Sequence, residues 1–307
     1  MAPSLSVISA GSMGSAIAAK MVKAGCTVYT SSDGRSQATK ERIREVGMID
    51  VPTSELFHRA DWLISILPPS EAFAFAEKAV LWASQLQVDG GSRAERRLYF
   101  VDCNAVNPDT AKRIGNLFEN SSVTFIDAGI IGGPPSDTYD PTIYASTSPS
   151  DIDALDDFTK LNSFGLKIRA LTGEDAGIGD ASALKMSYAG ISKGMTGIFT
   201  TMILAAHSAS PATSMALLRE LHASQPAVLQ RITAGVPSML PKAYRWVGEM
   251  EEIAGFVGDN EGRVYEGMAQ LYRRIENSVK NDGEGEGDVG VLQSFVRDAK
   301  AVLEKGS

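Results

Sequence analysis

Residues 5–30 read Leu5-Ser6-Val7-Ile8-Ser9-Ala10-Gly11-Ser12-Met13-Gly14-Ser15-Ala16-Ile17-Ala18-Ala19-Lys20-Met21-Val22-Lys23-Ala24-Gly25-Cys26-Thr27-Val28-Tyr29-Thr30. Leu5 to Ile8 is a short apolar strand. A glycine-containing turn leads into a helix from about Ser15 to Ala24, capped by Gly25, and Thr27 to Thr30 is a second strand. Strand, glycine-rich turn, helix and strand in about thirty residues is the context a dinucleotide fingerprint requires. Gly11 lets the backbone approach a pyrophosphate, with Ser12 and Met13 beside it, and Gly14 lets helix pack on strand. The helix start offers unpaired N–H groups and the positive end of its dipole. Ser9 stands where the pattern has its first glycine.

The end of the second strand reads on the nucleotide. An NAD site places a carboxylate about twenty residues after the glycines, to hold the ribose 2′-OH. Here the chain has Ser31-Ser32-Asp33-Gly34-Arg35-Ser36. The hydroxyls of Ser31 and Ser32 and the Arg35 guanidinium suit a 2′-phosphate, so NADP is expected over NAD. Asp33 pulls the other way if it faces the ribose. The plainer reading is a polar turn with Ser36 capping the next helix.

Further strands follow at Asp61 to Leu67, closed by Pro68-Pro69, at Leu98 to Asp102, followed by Cys103-Asn104-Ala105, and at Val123 to Asp127. After the last comes Ala128-Gly129-Ile130-Ile131-Gly132-Gly133-Pro134-Pro135. Thr142 to Ala145 and Leu166 to Leu171 complete the sheet. In open α/β sheets ligands sit at the carboxyl ends of strands, where this chain concentrates its turn chemistry. From Asp175 to Ala209 there is no proline and little charge, which predicts one long helix. Beyond Ser210 only helical patterns remain, near 212–225, 227–234, 244–258, 261–280 and 289–305, with Pro237 and Pro241 as breaks. The expected architecture is an α/β Rossmann domain with a mostly parallel sheet over residues 1–173. An all-α domain over 174–307 serves substrate binding and dimerisation, and a long interdomain helix joins the two.

Two stripes run along that helix. Ala183, Ser187, Gly190, Gly194 and Gly197 recur at spacings of three and four, a small-residue face where another backbone can come close. With the apolar surface of the helical half, it predicts a homodimer. Lys185, Tyr188 and Ser192 form a polar face. Leu184 and Met186 flank Lys185, and apolar surroundings disfavour its ammonium form, which suits proton transfer. The alternative is a lysine that carries its charge out to water. Tyr188 is equally readable as core.

With 307 residues, 44% hydrophobic and 21% charged, the composition is that of a globular protein with room for two domains. A net charge of -8 argues against nucleic acid or an anionic membrane as partner. The N-terminus lacks signal-peptide character and no apolar run reaches membrane-spanning length. Two cysteines without framework spacing point to a reducing, cytoplasmic setting. Three scattered histidines give no metal-ligand pattern. Asp282 to Asp288 reads as an acidic glycine-rich loop.

Four blocks, Gly11-Ser12-Met13-Gly14, Leu67-Pro68-Pro69, Asp127 to Gly133 and Gly179 to Lys185, stand in an order that resembles the β-hydroxyacid dehydrogenase superfamily. This group includes 3-hydroxyisobutyrate dehydrogenase, tartronate semialdehyde reductase and, more distantly, 6-phosphogluconate dehydrogenase. The branch called 6-phosphogluconate dehydrogenase C-terminal-domain-like is most similar. The resemblance covers nearly the whole chain. It implies a nucleotide loop at the first block, a nicotinamide-side loop at the second and a substrate loop at the third. It also implies a proton-transfer lysine at Lys185, and a dimer.

Departures from the pattern are Ile131 for a serine, Ala189 for an asparagine, and Glu251 for a second lysine. Each lost group would help hold a small hydroxyacid carboxylate, so a neutral, larger or cationic substrate is expected. The leading reading is an NADP(H)-dependent oxidoreductase acting at a carbonyl or alcohol carbon. Lys185 moves the proton, while Gly132, Gly133 and Asn104 orient substrate with Tyr188 and Ser192. Asn104 reads alternatively as a turn residue. A second reading is an imine reductase, favoured by Glu251 beside a cationic iminium and disfavoured by Lys185. A third is a non-catalytic NADP-binding sensor.

Overall fold

The computed structural model describes residues 2–88, 97–282 and 285–305. Residues 283 and 284 of the acidic segment expected at Asp282 to Asp288 lie outside the described residues. The chain divides into two compact units, Met1–Met186 and Ser187–Ser307.

The first unit contains β1 (Ser4–Ile8), α1 (Ser12–Lys23), β2 (Thr27–Thr30), α2 (Gln37–Val46), β3 (Ile49–Asp50), α3 (Leu56–Arg59) and β4 (Trp62–Ser65). It continues through α4 (Pro69–Val88), β5 (Leu98–Asp102), α5 (Pro108–Phe118), β6 (Val123–Ile131), β7 (Thr142–Ser146), α6 (Asp153–Thr159) and β8 (Ile168–Ala170), and ends in the first turns of α7 (Asp180–Ala209). The eight strands form one sheet in the order β3-β2-β1-β4-β5-β6-β7-β8. Every pairing is parallel except β6 with β7. This is a Rossmann-type sheet, and helices pack on both faces. Leu5, Val7, Val28, Ile64 and Val101 fill one side. Ile8, Leu63, Phe100 and Phe125 fill the other. Burial on both faces is why these strands read as nearly continuous apolar runs.

Local chemistry sets the boundaries. Gly25, at φ 89°, closes α1, with the Gly25 and Cys26 amides donating to Val22 and Met21 carbonyls. Ser36 caps α2 and Asn107 caps α5. Two expected boundaries move. Helix α1 begins at Ser12 rather than Ser15, because Gly14, a poor helix former in isolation, is what lets the first turn lie against Ser9. Strand β6 runs to Ile131 rather than Asp127, because β7 pairs antiparallel along it from Asp127↔Ser146 to Ile131↔Thr142. The glycine in that run reads locally as a turn, and only the long-range partner makes it strand.

The second unit is helical: the remainder of α7, then α8 (Pro211–Ser224), α9 (Pro226–Met239), α10 (Ala243–Val257), α11 (Asp259–Asn281) and α12 (Gly287–Lys305). Pro237 lies inside α9 instead of breaking it. The buried face Leu229, Ile232, Val236 and Met239 continues across the proline, and packing outweighs the lost backbone bond. Tyr272 is fully buried, stacks edge-on against Trp246 at 5.1 Å and donates to the Lys193 carbonyl at 2.6 Å. Side chains of Tyr265, Met268 and Tyr272 fill the groove over Gly190, Gly194 and Gly197. A Cβ on Gly190 would stand 3.1 Å from the Tyr265 hydroxyl, and one on Gly197 3.2 Å from that of Tyr272. The small-residue stripe expected to meet a second subunit therefore packs against α11 of the same chain. No helix among the described residues is long and apolar enough to cross a membrane.

Candidate active site

Strand order reverses between β1 and β4, and a cavity of about 410 Å³ opens at the carboxyl ends there. Its walls include Ile8 after β1, Ser31 and Asp33 after β2, Leu67 after β4, and Phe75 and Lys78 of α4. Gly11 is the N-cap of α1, and the first amide paired within the helix is that of Ser15, donating to Gly11 at 2.9 Å. The amides of Ser12, Met13 and Gly14 thus form the helix start, the geometry that receives a phosphate. A Cβ on Gly14 would sit 1.9 Å from the Ser9 carbonyl oxygen, so no other residue fits this crossing of α1 on β1. Arg42 of α2 donates to the Ala10 carbonyl at 2.7 Å and braces the loop.

At the ribose end the residues part company. Ser31 is buried, and its hydroxyl accepts from Thr53 Oγ1 at 2.8 Å and the Asp33 amide at 3.2 Å. Ser32 is engaged within the chain: its amide and hydroxyl both donate to the Asp50 carboxylate, at 2.8 and 2.6 Å. Asp33 accepts from the Thr53 amide and hydroxyl at 3.0 and 2.8 Å, and these bonds hold its pKa below the usual carboxylate value. Arg35 lies 3.4 Å from Glu71 of α4. Lys78 and Trp82 share that face of α4 with Glu71 and Phe75 and line the cavity. The sequence reading missed Thr53 and Lys78. The helical spacing of Glu71, Phe75, Lys78 and Trp82 carried the signal for the second, and nothing local carried it for the first. A helix start facing the strand ends, a glycine that admits no Cβ and a cavity with two cations together fit a dinucleotide.

The second centre lies at the end of β6. Lys185 is half-buried, and its Nζ donates to the Ile130 carbonyl at 2.5 Å. Gly129 permits this: a Cβ there would meet the Ala181 oxygen at 2.7 Å and the Lys185 Cβ at 3.0 Å. Asp127, 1% exposed, ties α7 to the sheet. It accepts from the Ser182 hydroxyl at 2.7 Å, the Gly179 and Ser182 amides at 3.0 and 3.1 Å, and the Ser146 hydroxyl at 3.3 Å. Burial still raises its pKa above the usual value. Its neighbour across the sheet, Asp102, is pushed up to about 7 by burial, and the Asp127 charge adds to the rise. Asp102 Oδ1 accepts from the Asn104 amide at 2.9 Å, and Oδ2 has no hydrogen-bond partner among the described residues. Asn104 is 3% exposed. Its side chain donates to the Ser65 hydroxyl at 3.0 Å and accepts from the Leu67 amide at 2.5 Å. It is therefore an inward tie that shapes the Leu67-Pro68-Pro69 loop, not a group exposed to ligand. Ile131 is half-buried, and Gly132 and Gly133 are exposed. Gly132 has φ 123°, and a Cβ there would collide with the Tyr139 hydroxyl at 1.8 Å.

In the second unit, Tyr188 and Ser192 follow Lys185 along α7 by one and two turns. Tyr188 is 51% exposed and therefore not core. Ser192 is half-buried. Glu251 is exposed and pairs with Arg273 at 2.9 Å. The acid that α10 turns toward α7 is Glu249, 8% exposed and ion-paired with Lys193, whose Nζ lies 5.4 Å from the Trp246 ring centre.

Residues 4–169, more than half of the chain, match the family described as the NAD binding domain of 6-phosphogluconate dehydrogenase. The chain belongs to this family, and with it to the β-hydroxyacid dehydrogenase-like superfamily. Its first unit is thus an NAD(P)-binding domain of the 6-phosphogluconate dehydrogenase type. Residues 210–275 match a domain of unknown function, DUF1932. The mitochondrial 3-hydroxyisobutyrate dehydrogenase of Drosophila melanogaster is 26% identical over 136 residues, 44% of this chain and 38% of the relative, so the match spans well under half of that protein. Among solved structures, Mycobacterium tuberculosis 3-hydroxyisobutyrate dehydrogenase with L-serine superposes with a TM-score of 0.58 at 16% identity, covering 96% of this chain and 99% of that one. An imine reductase from Myxococcus stipitatus in complex with NADP+ superposes at 0.53 and 20% identity, covering 96% and 100%. At these identities the likeness is one of fold.

Proposed function

We propose that this protein is an NADP(H)-dependent oxidoreductase acting on a carbonyl or alcohol carbon, with Lys185 as the group that moves the proton. The observation that carries the reading is the anchoring of Lys185 Nζ to the Ile130 carbonyl, at the strand end that leads into Ile131, Gly132 and Gly133. Bound nicotinamide supplies a hydride donor or acceptor. The chain supplies the rest. The α1 start, braced by Arg42, receives pyrophosphate. Arg35 and Lys78 face the adenosine ribose and favour a 2′-phosphate. The Leu67-Pro68-Pro69 loop, held by Asn104, flanks the nicotinamide side. In reduction Lys185 gives its proton to the substrate oxygen as negative charge develops there, and in oxidation it takes the proton back.

The substrate class follows from what is missing. Ile131 offers no donor to a carboxylate, and Glu251 is turned to Arg273. The Lys185 ammonium would repel a cationic iminium beside it, so the carbonyl reading stands ahead of imine reduction. A neutral carbonyl compound is the proposed substrate. The protein acts as a homodimer in a reducing, cytoplasmic setting, in keeping with two buried free thiols, Cys26 and Cys103.

The test is NADPH consumption across a panel of neutral aldehydes and ketones, followed by Lys185→Ala on any substrate found. A positioned acid or base contributes about 10²–10⁴-fold, so kcat/KM falls by that much while NADPH affinity holds. Lys185→Arg restores little, because arginine keeps its proton. An alanine variant with wild-type turnover would end this mechanism, and a panel of imines turned over in preference to carbonyls would end the substrate assignment.

A further inference from the structure

Pro237 forfeits a backbone hydrogen bond inside α9, and Pro241 follows it in the 3-10 turn that leads into α10. Neither ring is packed into the core: both are exposed. With Leu240 between them, they form one wall of a cavity of about 690 Å³, in the size range of small-molecule sites. Val236 of α9 and Leu292 and Val296 of α12 form its floor, at 1%, 0% and 6% exposure. A second cavity of about 410 Å³ shares Leu240, Pro241 and Gln293 with the first and continues along α12 to Val289. Val279 of α11, still 46% exposed, lies in that extension. Together the two make one apolar groove, built from the helical unit alone.

The facing wall is α12, and it is charged. Gln293, Arg297, Lys300 and Glu304 follow at spacings of four, three and four, along one face of the helix. Arg297 donates to the Ser294 hydroxyl at 2.8 Å and lies 3.7 Å from Asp298, which leaves other N–H groups of its guanidinium without a partner among the described residues. Lys300 makes no ion pair among the described residues, although Glu304 stands one turn on. The chain as a whole carries a net charge of -8. Two neighbouring cations with open donors, beside an apolar floor, are complementary to an anion with an apolar tail.

We propose that this groove binds an unbranched alkyl carboxylate. The carboxylate lies between Arg297 and Lys300, and the alkyl chain runs from there toward Val289, away from Glu304. Eleven residues of α12 separate Lys300 from Val289, about 16 Å at the rise of an α-helix, so the groove takes a chain of medium length. Asp282 lines the far end and sets the direction, because it would repel an anionic head placed there. This site goes beyond the oxidoreductase reading and shares no residue with the nucleotide cavity.

Isothermal titration of the full chain with decanoate and with dodecanoate, each below its micelle concentration, reads the site. One saturable equivalent per chain is expected. Dodecanoate binds on the order of tenfold tighter, for its two additional CH2 groups. Arg297→Gln combined with Lys300→Gln weakens dodecanoate by about 10-fold or more, the scale of a lost charge-assisted hydrogen bond, and leaves dodecanol binding as it was. Ala301→Trp, at an exposed position on the groove, fills it and abolishes dodecanoate binding. Arg263→Gln, at an exposed cation of α11 outside the groove, changes nothing. Circular dichroism checks that each variant folds. A wild type that takes up no saturable equivalent overturns the proposal. So does a folded Ala301→Trp variant that still binds, a double glutamine variant that keeps its affinity, or dodecyltrimethylammonium bound as tightly as dodecanoate. If Ala301→Trp turns a dimer into a monomer by light scattering, the groove is an interface between copies and the proposal falls. The titration needs neither NADPH nor a carbonyl compound, so its outcome is separate from that of the oxidoreductase reading.

Discussion

Asp127→Ala is the perturbation that tests how the sheet holds Lys185. The carboxylate takes four hydrogen bonds, three of them from Gly179 and Ser182 at the start of α7. Alanine leaves two buried backbone amides without an acceptor, at about 1–3 kcal/mol each. The Ser146 hydroxyl, which accepts from the Ala181 amide at 3.1 Å, also loses the acceptor of its own proton, but that bond is long at 3.3 Å, so it adds little to the loss. Removing a buried charge returns part of the difference, since burial raises the Asp127 pKa despite its four bonds. The balance is a destabilisation of roughly 2–4 kcal/mol, a fall in Tm on the order of 5–15 °C for a domain of this size. Asp127→Asn is the isosteric control. With the amide carbonyl placed where Oδ2 was, both backbone bonds are kept and the new NH2 donates to the Ser182 hydroxyl, so this change alters stability by about 1 kcal/mol or less. Calorimetry at pH 7.5 gives the ranking, and kcat/KM per folded molecule gives the consequence for Lys185, one turn beyond Ser182. Equal Tm for the alanine and asparagine variants would refute the hydrogen-bond account. A lower Tm with unchanged turnover would show that the α7 start stabilises the protein without positioning the lysine.

Three further outcomes follow from the same geometry. Arg35→Ala weakens NADPH by about 1.5–3 kcal/mol, the scale of a charge-assisted hydrogen bond, and leaves NADH nearly unchanged, whereas Glu71→Gln frees Arg35 and tightens NADPH; equal shifts for both cofactors in a fluorescence titration would remove the 2′-phosphate assignment. Asp102 binds its proton more tightly folded, at about 7, than unfolded, so its stabilising contribution is greatest below the unfolded carboxylate pKa and is lost as pH rises toward and through 7. Wild-type stability should therefore drop between pH 5 and 8 by on the order of 1–3 kcal/mol more than that of Asp102→Asn, and parallel pH profiles would exclude the effect. Gly14→Ala drives a Cβ into the Ser9 carbonyl and abolishes cofactor binding with a stability loss of about 1–3 kcal/mol, checked by calorimetry and titration together.

What the sequence made legible is what is local. The β1–α1–β2 unit, the caps at Ser36 and Asn107, and the long helix α7 each follow from residues within a few positions of one another. Glycines that are spaced for a reason, Gly14 and Gly132, announced themselves in the same way, and in each case the reason is an atom that a Cβ would strike. The contacts the sequence could not show all depend on a partner far along the chain. Ser32 reads as a phosphate ligand until Asp50, eighteen residues on, takes both its donors. Asn104 reads as a ligand group until Ser65 and Leu67 claim its amide. Glu251 and Glu249 are two residues apart, and only the packing of α10 decides which one meets Lys193.

The glycine face of α7 makes the point in physical terms. Small residues at helical spacing state that something comes close, and they do not state what. The distinction between an intrachain and an interchain neighbour is carried by the opposing element: Tyr265, Met268 and Tyr272 recur along α11 at the same spacing and fill the groove. With that face occupied, the apolar surface left on α7 is the line of Tyr188, Ile191, Ile198 and Met202 about a quarter-turn away. A helix with two apolar faces is a poor surface helix and a good central one. One face secures α7 to its own helical unit, its first turn is tied to the sheet through Asp127, and Lys185 stands in that first stretch. A change that loosens the Asp127 tie and one that crowds the glycine face therefore act on the same helix from its two supports. Their effects on turnover should be more than additive if α7 moves as a rigid rod, and simply additive if the two ends relax independently, a distinction the Asp127→Ala, Gly197→Val double-mutant cycle measures directly.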